Sequence, residues 1–177
     1  MTLKRWMLVV GWIGAGMLGF GDTPTGEIHG APAQQARAEI LWTRAICKQP
    51  GRYIGWPTAC LRKNGELLAV FSGDRDAHVC PFGKVQMIRS TDLGESWSVA
   101  QTICNTQLDD RDAGIVELPN GDLVVAWFTS VAYMGSIRDR SKLKPGSPQF
   151  YWWLHDEKLP HAVKQEWLGY FTVRSSD

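Results

Sequence analysis

Apolar and polar positions along the chain alternate over short runs and then break at turn-forming pairs, the pattern of half-buried strands rather than of helices. Residues 61–71 read as two strands joined at Asn64-Gly65. Residues 116–128 repeat the arrangement around Asn120-Gly121, 56 positions later. Asn-Gly supplies the positive φ angles of a two-residue type I′ hairpin turn, so each run predicts a tight β-hairpin. An internal repeat of this length points to an architecture assembled from copies of one unit.

A second element recurs as well. Residues 84–92 read as a strand entering a turn, and residues 170–177 reproduce its final part 85 positions on. The two spacings differ by 29 residues, which places an insertion at 131–169 in the second copy. The insertion carries a basic Pro/Gly stretch at 138–148 and an aromatic cluster, Phe150-Tyr151-Trp152-Trp153. A short helix is expected from Pro160 to Leu168, with Pro in the first turn and Gly169 as its C-cap. The aromatic cluster suits either a sugar-stacking lip or buried packing. An inner hairpin followed by an outer strand and turn is the plan of a four-stranded propeller blade. The first blade is expected at about 53–105 and the second at about 106–177. Two blades do not close a ring, and the second turn motif stops at Asp177 where the first runs on, so the natural protein is expected to continue.

The N-terminus changes the picture of location. Lys4 and Arg5 precede an uncharged run from Trp6 to Phe20, a signal-peptide pattern shorter than the roughly 20 apolar residues of a membrane span. Small-x-small patterns at Ala31-Pro32-Ala33 and Ala36-Arg37-Ala38 put cleavage between 22 and 39. Residues 1–38 are therefore read as leader and linker, 39–177 as the domain, and the protein as secreted or periplasmic, an uncleaved anchor being the alternative. No stable membrane insertion is expected after cleavage. With 19 Lys and Arg against 18 Asp and Glu, no electrostatic footprint for nucleic acid or an anionic membrane exists. Cys47, Cys60, Cys80 and Cys104 would meet an oxidising compartment, where three pairings are open. No Cys-x-x-Cys or neighbouring His stands at ligand spacing, so neither metal nor cofactor is called for.

Ser90-Thr91-Asp92-Leu93-Gly94-Glu95-Ser96-Trp97 fits a self-bonded turn: the Asp carboxylate accepts N–H groups across the loop, Gly permits positive φ, and Trp packs back on the sheet. This segment resembles the Asp-box, Ser-x-Asp-x-Gly-x-x-Trp, of sialidases and related propellers, where Ser90, Asp92, Gly94 and Trp97 would be structural. The resemblance covers roughly residues 50–177 and implies an all-β, six-bladed β-propeller of which about two blades are present. It also implies an arginine grip on a substrate carboxylate. Tyr53-Ile54-Gly55-Trp56-Pro57 stands where the family begins its first blade with Arg-Ile-Pro, with Gly55 in place of the arginine. Arg75 falls where the family's second arginine belongs.

Two Asp-Arg-Asp clusters carry the candidate chemistry. A guanidinium presents a planar fork that fits a carboxylate bidentately. Arg75, flanked by Asp74 and Asp76, could hold an acidic sugar while Asp76 protonates a leaving-group oxygen, with His78 as the alternative acid. In the second cluster Asp110, Arg111 and Asp112 follow Asp109, and the repeat superposes Arg111 on Gly55. Three carboxylates around one arginine are expected to stay outside the core. Asp76 is thus the expected catalytic residue, with Asp74, Arg75, His78, Asp110, Arg111 and Asp112 binding a sialylated or other acidic glycan. Two functions follow from the resemblance: an exo-sialidase-like glycoside hydrolase, or a non-catalytic propeller that binds carbohydrate or protein through the same face. The family's tyrosine nucleophile and its glutamate come from later blades, and Tyr133, Tyr151 and Tyr170 carry no motif for that role.

Overall fold

The computed structural model describes Met7–Leu8 and residues 39–176. The chain divides into two compact units, Gly11–Ala45 on one hand and Met1–Val10 with Ile46–Asp177 on the other. In the first, the described residues 39–45 have no regular structure, and the Arg44 guanidinium lies 4.3 Å from the centre of the Trp42 ring. The leader, its cleavage region and Asp177 fall outside the described residues, apart from Met7–Leu8.

The second unit is built on two four-stranded antiparallel sheets, which makes the protein mostly β. Strands β2 (Tyr53–Leu61), β3 (Leu67–Arg75), β4 (Lys84–Ser90) and β5 (Gln101–Cys104) follow one another in one sheet. The other contains β6 (Asp109–Glu117), β7 (Leu123–Ser130) and β8 (Tyr170–Ser175), with β1 (Met7–Leu8) along the edge of β8. The 56-residue repeat is present in the strands themselves, since β6 and β7 begin 56 positions after β2 and β3.

The hairpin turns differ in type from the expectation. Arg62 donates its N–H to the Glu66 carbonyl and accepts from the Gly65 N–H, which closes a three-residue loop with a bulge at Gly65. Leu118, Asp122 and Gly121 repeat this pattern. Only the glycines take positive φ, 87° at Gly65 and 89° at Gly121. Asn64 and Asn120 keep negative φ, and the side chain of each accepts a backbone N–H two residues on, from Glu66 and Asp122.

β3 is covered on both faces, which explains its continuous apolar run. Leu68 and Val70 join Val85, Met87, Ala113, Ile115, Leu123, Val125 and Trp127 in the main core, to which both sheets contribute. Ala69 and Phe71, on the opposite face, pack with Ile88, Trp97 and Ile46. Each such side chain contributes roughly 1.5–3 kcal/mol by leaving water. The Asp-box turn forms as its residue types dictate. Asp92 accepts the Ser96 N–H at 2.9 Å and the Ser90 hydroxyl at 2.8 Å, Ser90 accepts the Gly94 N–H, and the Trp97 indole donates to the Gly94 carbonyl. These bonds, led by the one from the Ser96 hydroxyl, pull the Asp92 carboxyl down to about 2.

The insertion holds α1 (Met134–Ile137), a 3-10 turn at Arg140–Lys142, α2 (Pro148–Lys158) and α3 (His161–Trp167). α3 meets the expected start at Pro160, but Leu168 is its C-cap, and Gly169 does not adopt positive φ. The aromatic cluster forms part of α2, which the alternating pattern elsewhere concealed. Ser147 caps it by accepting the Phe150 N–H, and Pro148 occupies the first turn, where its missing N–H costs nothing. Trp152 from this helix is fully buried with Tyr133, Ile137 and Cys80. All four cysteines are free thiols, so none of the three pairings is made.

Candidate functional site

Two irregular strands set up the site. β2 slips register between Gly55 and Thr58, and β6 between Arg111 and Gly114. Each bulge holds one residue in the left-handed region, Trp56 at φ 53° and Asp112 at φ 49°. The two occupy the same position in the 56-residue repeat. For residues other than glycine such angles are uncommon and cluster where side chains are aimed for a purpose.

The Trp56 ring gathers both arginines. The guanidinium carbon of Arg75 lies 5.4 Å from its centre and that of Arg111 lies 4.8 Å away. Both distances suit cation–π attraction. The mutual repulsion of the two cations is offset by a carboxylate that the sequence analysis did not single out. Asp109 places Oδ1 2.6 Å from Arg75 and Oδ2 3.8 Å from Arg111. The two Asp-Arg-Asp segments, distant in sequence, therefore adjoin in space.

Their members play different parts. Arg75 is fully enclosed, and beyond Asp109 it donates to the carbonyls of His78 at 2.9 Å and Asp110 at 3.2 Å. A Cβ at Gly83 would lie 2.2 Å from its Nη1. Arg75 is a buried anchor, not an accessible grip. Asp76 is likewise engaged on both oxygens: Oδ1 pairs with Arg52, and Oδ2 accepts the Trp152 indole N–H at 2.8 Å. The expected acid thus lies where its carboxylate ties the insertion to the end of β3. Asp74 pairs with Arg52 and Lys84; burial would raise its carboxyl, but these cations, Lys84 first, bring it below the usual range.

The second cluster corrects another expectation. Asp109 and Asp110 are fully buried and Arg111 is only 9% exposed. Burial is tolerated because the carboxylates have partners. Asp110 accepts the Thr106 N–H at 2.6 Å, the Thr106 hydroxyl at 3.1 Å and the Trp127 indole N–H at 3.0 Å. Desolvation still prevails and pushes its carboxyl up to about 6. Asp109 is also raised by burial, against the pull of Arg75. Asp112 alone of the carboxylates is exposed, 3.9 Å from Arg111 Nε, and its N–H donates to the Ser72 hydroxyl.

Among the described residues the Nε of Arg111, like that of Arg75 and like Asp109 Oδ1, is buried without a hydrogen-bond partner. What sets Arg111 apart is that its two carboxylate neighbours stand at 3.8 and 3.9 Å, beyond hydrogen-bond distance, whereas Arg75 is held by Asp109 and two carbonyls. The guanidinium rests between Trp56 and Phe128, 5.8 Å from the latter ring. Exposed rings gather on Trp56: His78 meets it edge-on at 5.0 Å, and Tyr53 lies 5.7 Å from the same indole. Among the concavities, one is lined by Met87, Ile103 and Leu123, another by Arg140 and Trp153, and a third by Gln49, Arg52 and Ile54 beside the start of β2. Trp56 was missed because a tryptophan beside a proline carries no chemical motif. The available signal was its alignment with Asp112 in the repeat.

No family model and no curated protein matches the chain. A crystal structure of a protein of unknown function from Dyadobacter fermentans DSM 18053 is similar to it, at 18% identity and a TM-score of 0.47 over 75% of this chain. The chain spans 35% of the length of that protein.

Proposed function

We propose that the chain is part of a sialidase-like Asp-box β-propeller that binds an acidic glycan at the strand ends around Trp56 and Arg111. The observation that carries this reading is Arg111: a nearly buried guanidinium whose Nε has no hydrogen-bond partner among the described residues, laid against an indole and beside the exposed Asp112 carboxylate. Buried charged donors are normally satisfied, and an unsatisfied one is costly. A sugar carboxylate would satisfy it through paired N–H···O bonds. The near-neutral balance of the chain, 19 cations against 18 anions, favours a ligand with isolated charge over a polyanion.

A second reading, exo-sialidase-like hydrolysis, draws on the resemblance together with Asp112, an exposed carboxylate beside Arg111 and a better placed acid than Asp76. Titration of the protein with sialyllactose by calorimetry, beside turnover of a fluorogenic sialoside, tests both. Arg111→Ala is expected to weaken binding about tenfold or more, as loss of a charge-assisted pair worth ~1.5–3 kcal/mol implies. Asp112→Asn is expected to abolish turnover while binding persists. Unchanged affinity in Arg111→Ala removes the proposal, and absence of turnover with binding intact leaves the non-catalytic form of it.

A further inference from the structure

The rings around Arg111 continue beyond it along the sheet. Arg111 and Phe128 are direct cross-strand partners on β6 and β7, and Phe128 and Tyr170 are partners on β7 and β8. Directly opposed residues of antiparallel strands project from the same face. Phe128 and Tyr170 stand 5.5 Å apart, and Tyr170 is 87% exposed with no described element over it. Arg111 also adjoins Trp56, against which pack Tyr53, 41% exposed, and the exposed ring of His78. The result is a row of contacts from Tyr170 through Phe128 and Arg111 to Trp56, ending in a cluster in which Trp56, Tyr53 and His78 touch one another, with Arg111 as its only cation that is not fully enclosed. At ~4.8 Å per strand, β8 to β6 alone accounts for about 10 Å of its length.

We infer that this row is an extended sugar-binding track that takes an oligosaccharide whose acidic unit lies within the chain, flanked by units stacked on Tyr170 at one end and on Tyr53 and His78 at the other. The inference rests on the proposed role of Arg111 and adds the length and polarity of the ligand. A single terminal acidic sugar would leave the outer rings unused, and nothing in the packing requires Tyr170 or Tyr53 to face water. Single-stranded nucleic acid also stacks on aromatic rows, but its binding needs a cationic groove along the backbone. Here the row has one arginine, with Asp109 and Asp112 within 4 Å of it.

The test is calorimetric titration of the whole chain with otherwise neutral oligosaccharide fragments of increasing length that each carry a single internal uronate, and with sialyllactose, whose acid is terminal. Affinity is expected to rise with fragment length until the track is filled, and to exceed that for sialyllactose. Tyr170→Ala and Tyr53→Ala are each expected to lower affinity for long fragments about two- to tenfold while leaving the shortest unchanged. Far-ultraviolet circular dichroism of both variants should match the parent, since both side chains are exposed. Length-independent affinity that still depends on Arg111 overturns the track and spares the acidic-glycan reading. Loss of Arg111 dependence overturns both, and equal competition by a single-stranded oligonucleotide overturns the choice of ligand.

Discussion

The carboxyls of Asp110 and Asp92 are shifted in opposite directions, and each contributes to one side of the pH dependence of stability. The folded-state value of Asp110, about 6, lies above the ~3.9 of an unstructured aspartate. The folded protein therefore holds this proton more tightly than the unfolded chain, and the associated stability is full below about pH 4 and lost as pH rises through about 6. Asp109 adds in the same direction. Asp92, depressed to about 2, does the reverse: its contribution is present above about pH 4 and disappears as pH falls through about 2. Melting temperatures measured from pH 3 to 8 should thus decline between roughly pH 4 and 6. Asp110→Asn should flatten that decline, whatever its offset. A decline of the same slope in the variant would remove Asp110 as its source.

At the scale of elements, the two hairpins offer a matched pair. A methyl group at Gly65 or Gly121 would meet open space, so alanine there costs only the left-handed backbone, about 1 kcal/mol each. Urea denaturation of the single and double variants should give losses that depart from additivity, because Arg62 donates to the Gly121 carbonyl and Lys63 bonds Glu117 and Pro119, so the two turns share partners. The hairpins, the Asp-box turn and the 56-residue repeat were legible in the sequence because local chemistry fixes them: glycine at the bulge, serine and aspartate within the turn. The site was legible only in part. Arg111 and Asp112 could be placed by superposing the repeats, whereas the enclosure of Arg75 depends on Asp109 and on the carbonyls of His78 and Asp110, contacts that no local pattern encodes. Helix α2 escaped notice for a related reason. Its aromatic residues favour strands by propensity, and burial of Trp152 against the 77–82 loop decides otherwise.

For the whole molecule, the decisive question is whether the insertion folds as one with the sheets. Trp152 reaches from α2 to Asp76, and His155 Nε2 lies 2.8 Å from the Gln107 carbonyl, so the helix is tied to both sheets' loops. Trp152→Ala removes one of the largest fully buried side chains and takes the indole donor away from Asp76 Oδ2; the expected loss is about 3–5 kcal/mol. Trp152→Phe, which keeps most of the ring but not the N–H, should lose less. A single unfolding transition in both variants, seen alike by fluorescence and circular dichroism, is the expected outcome. Two transitions would show the insertion to be an independent appendage.

The paired bends at Trp56 and Asp112 separate scaffold from cargo. One kink of the main chain recurs in both copies, yet it presents an indole in the first and a carboxylate in the second. A duplicated unit can in this way hold its geometry fixed while the group displayed at the apex diverges, so that one copy furnishes a wall and its twin a charge.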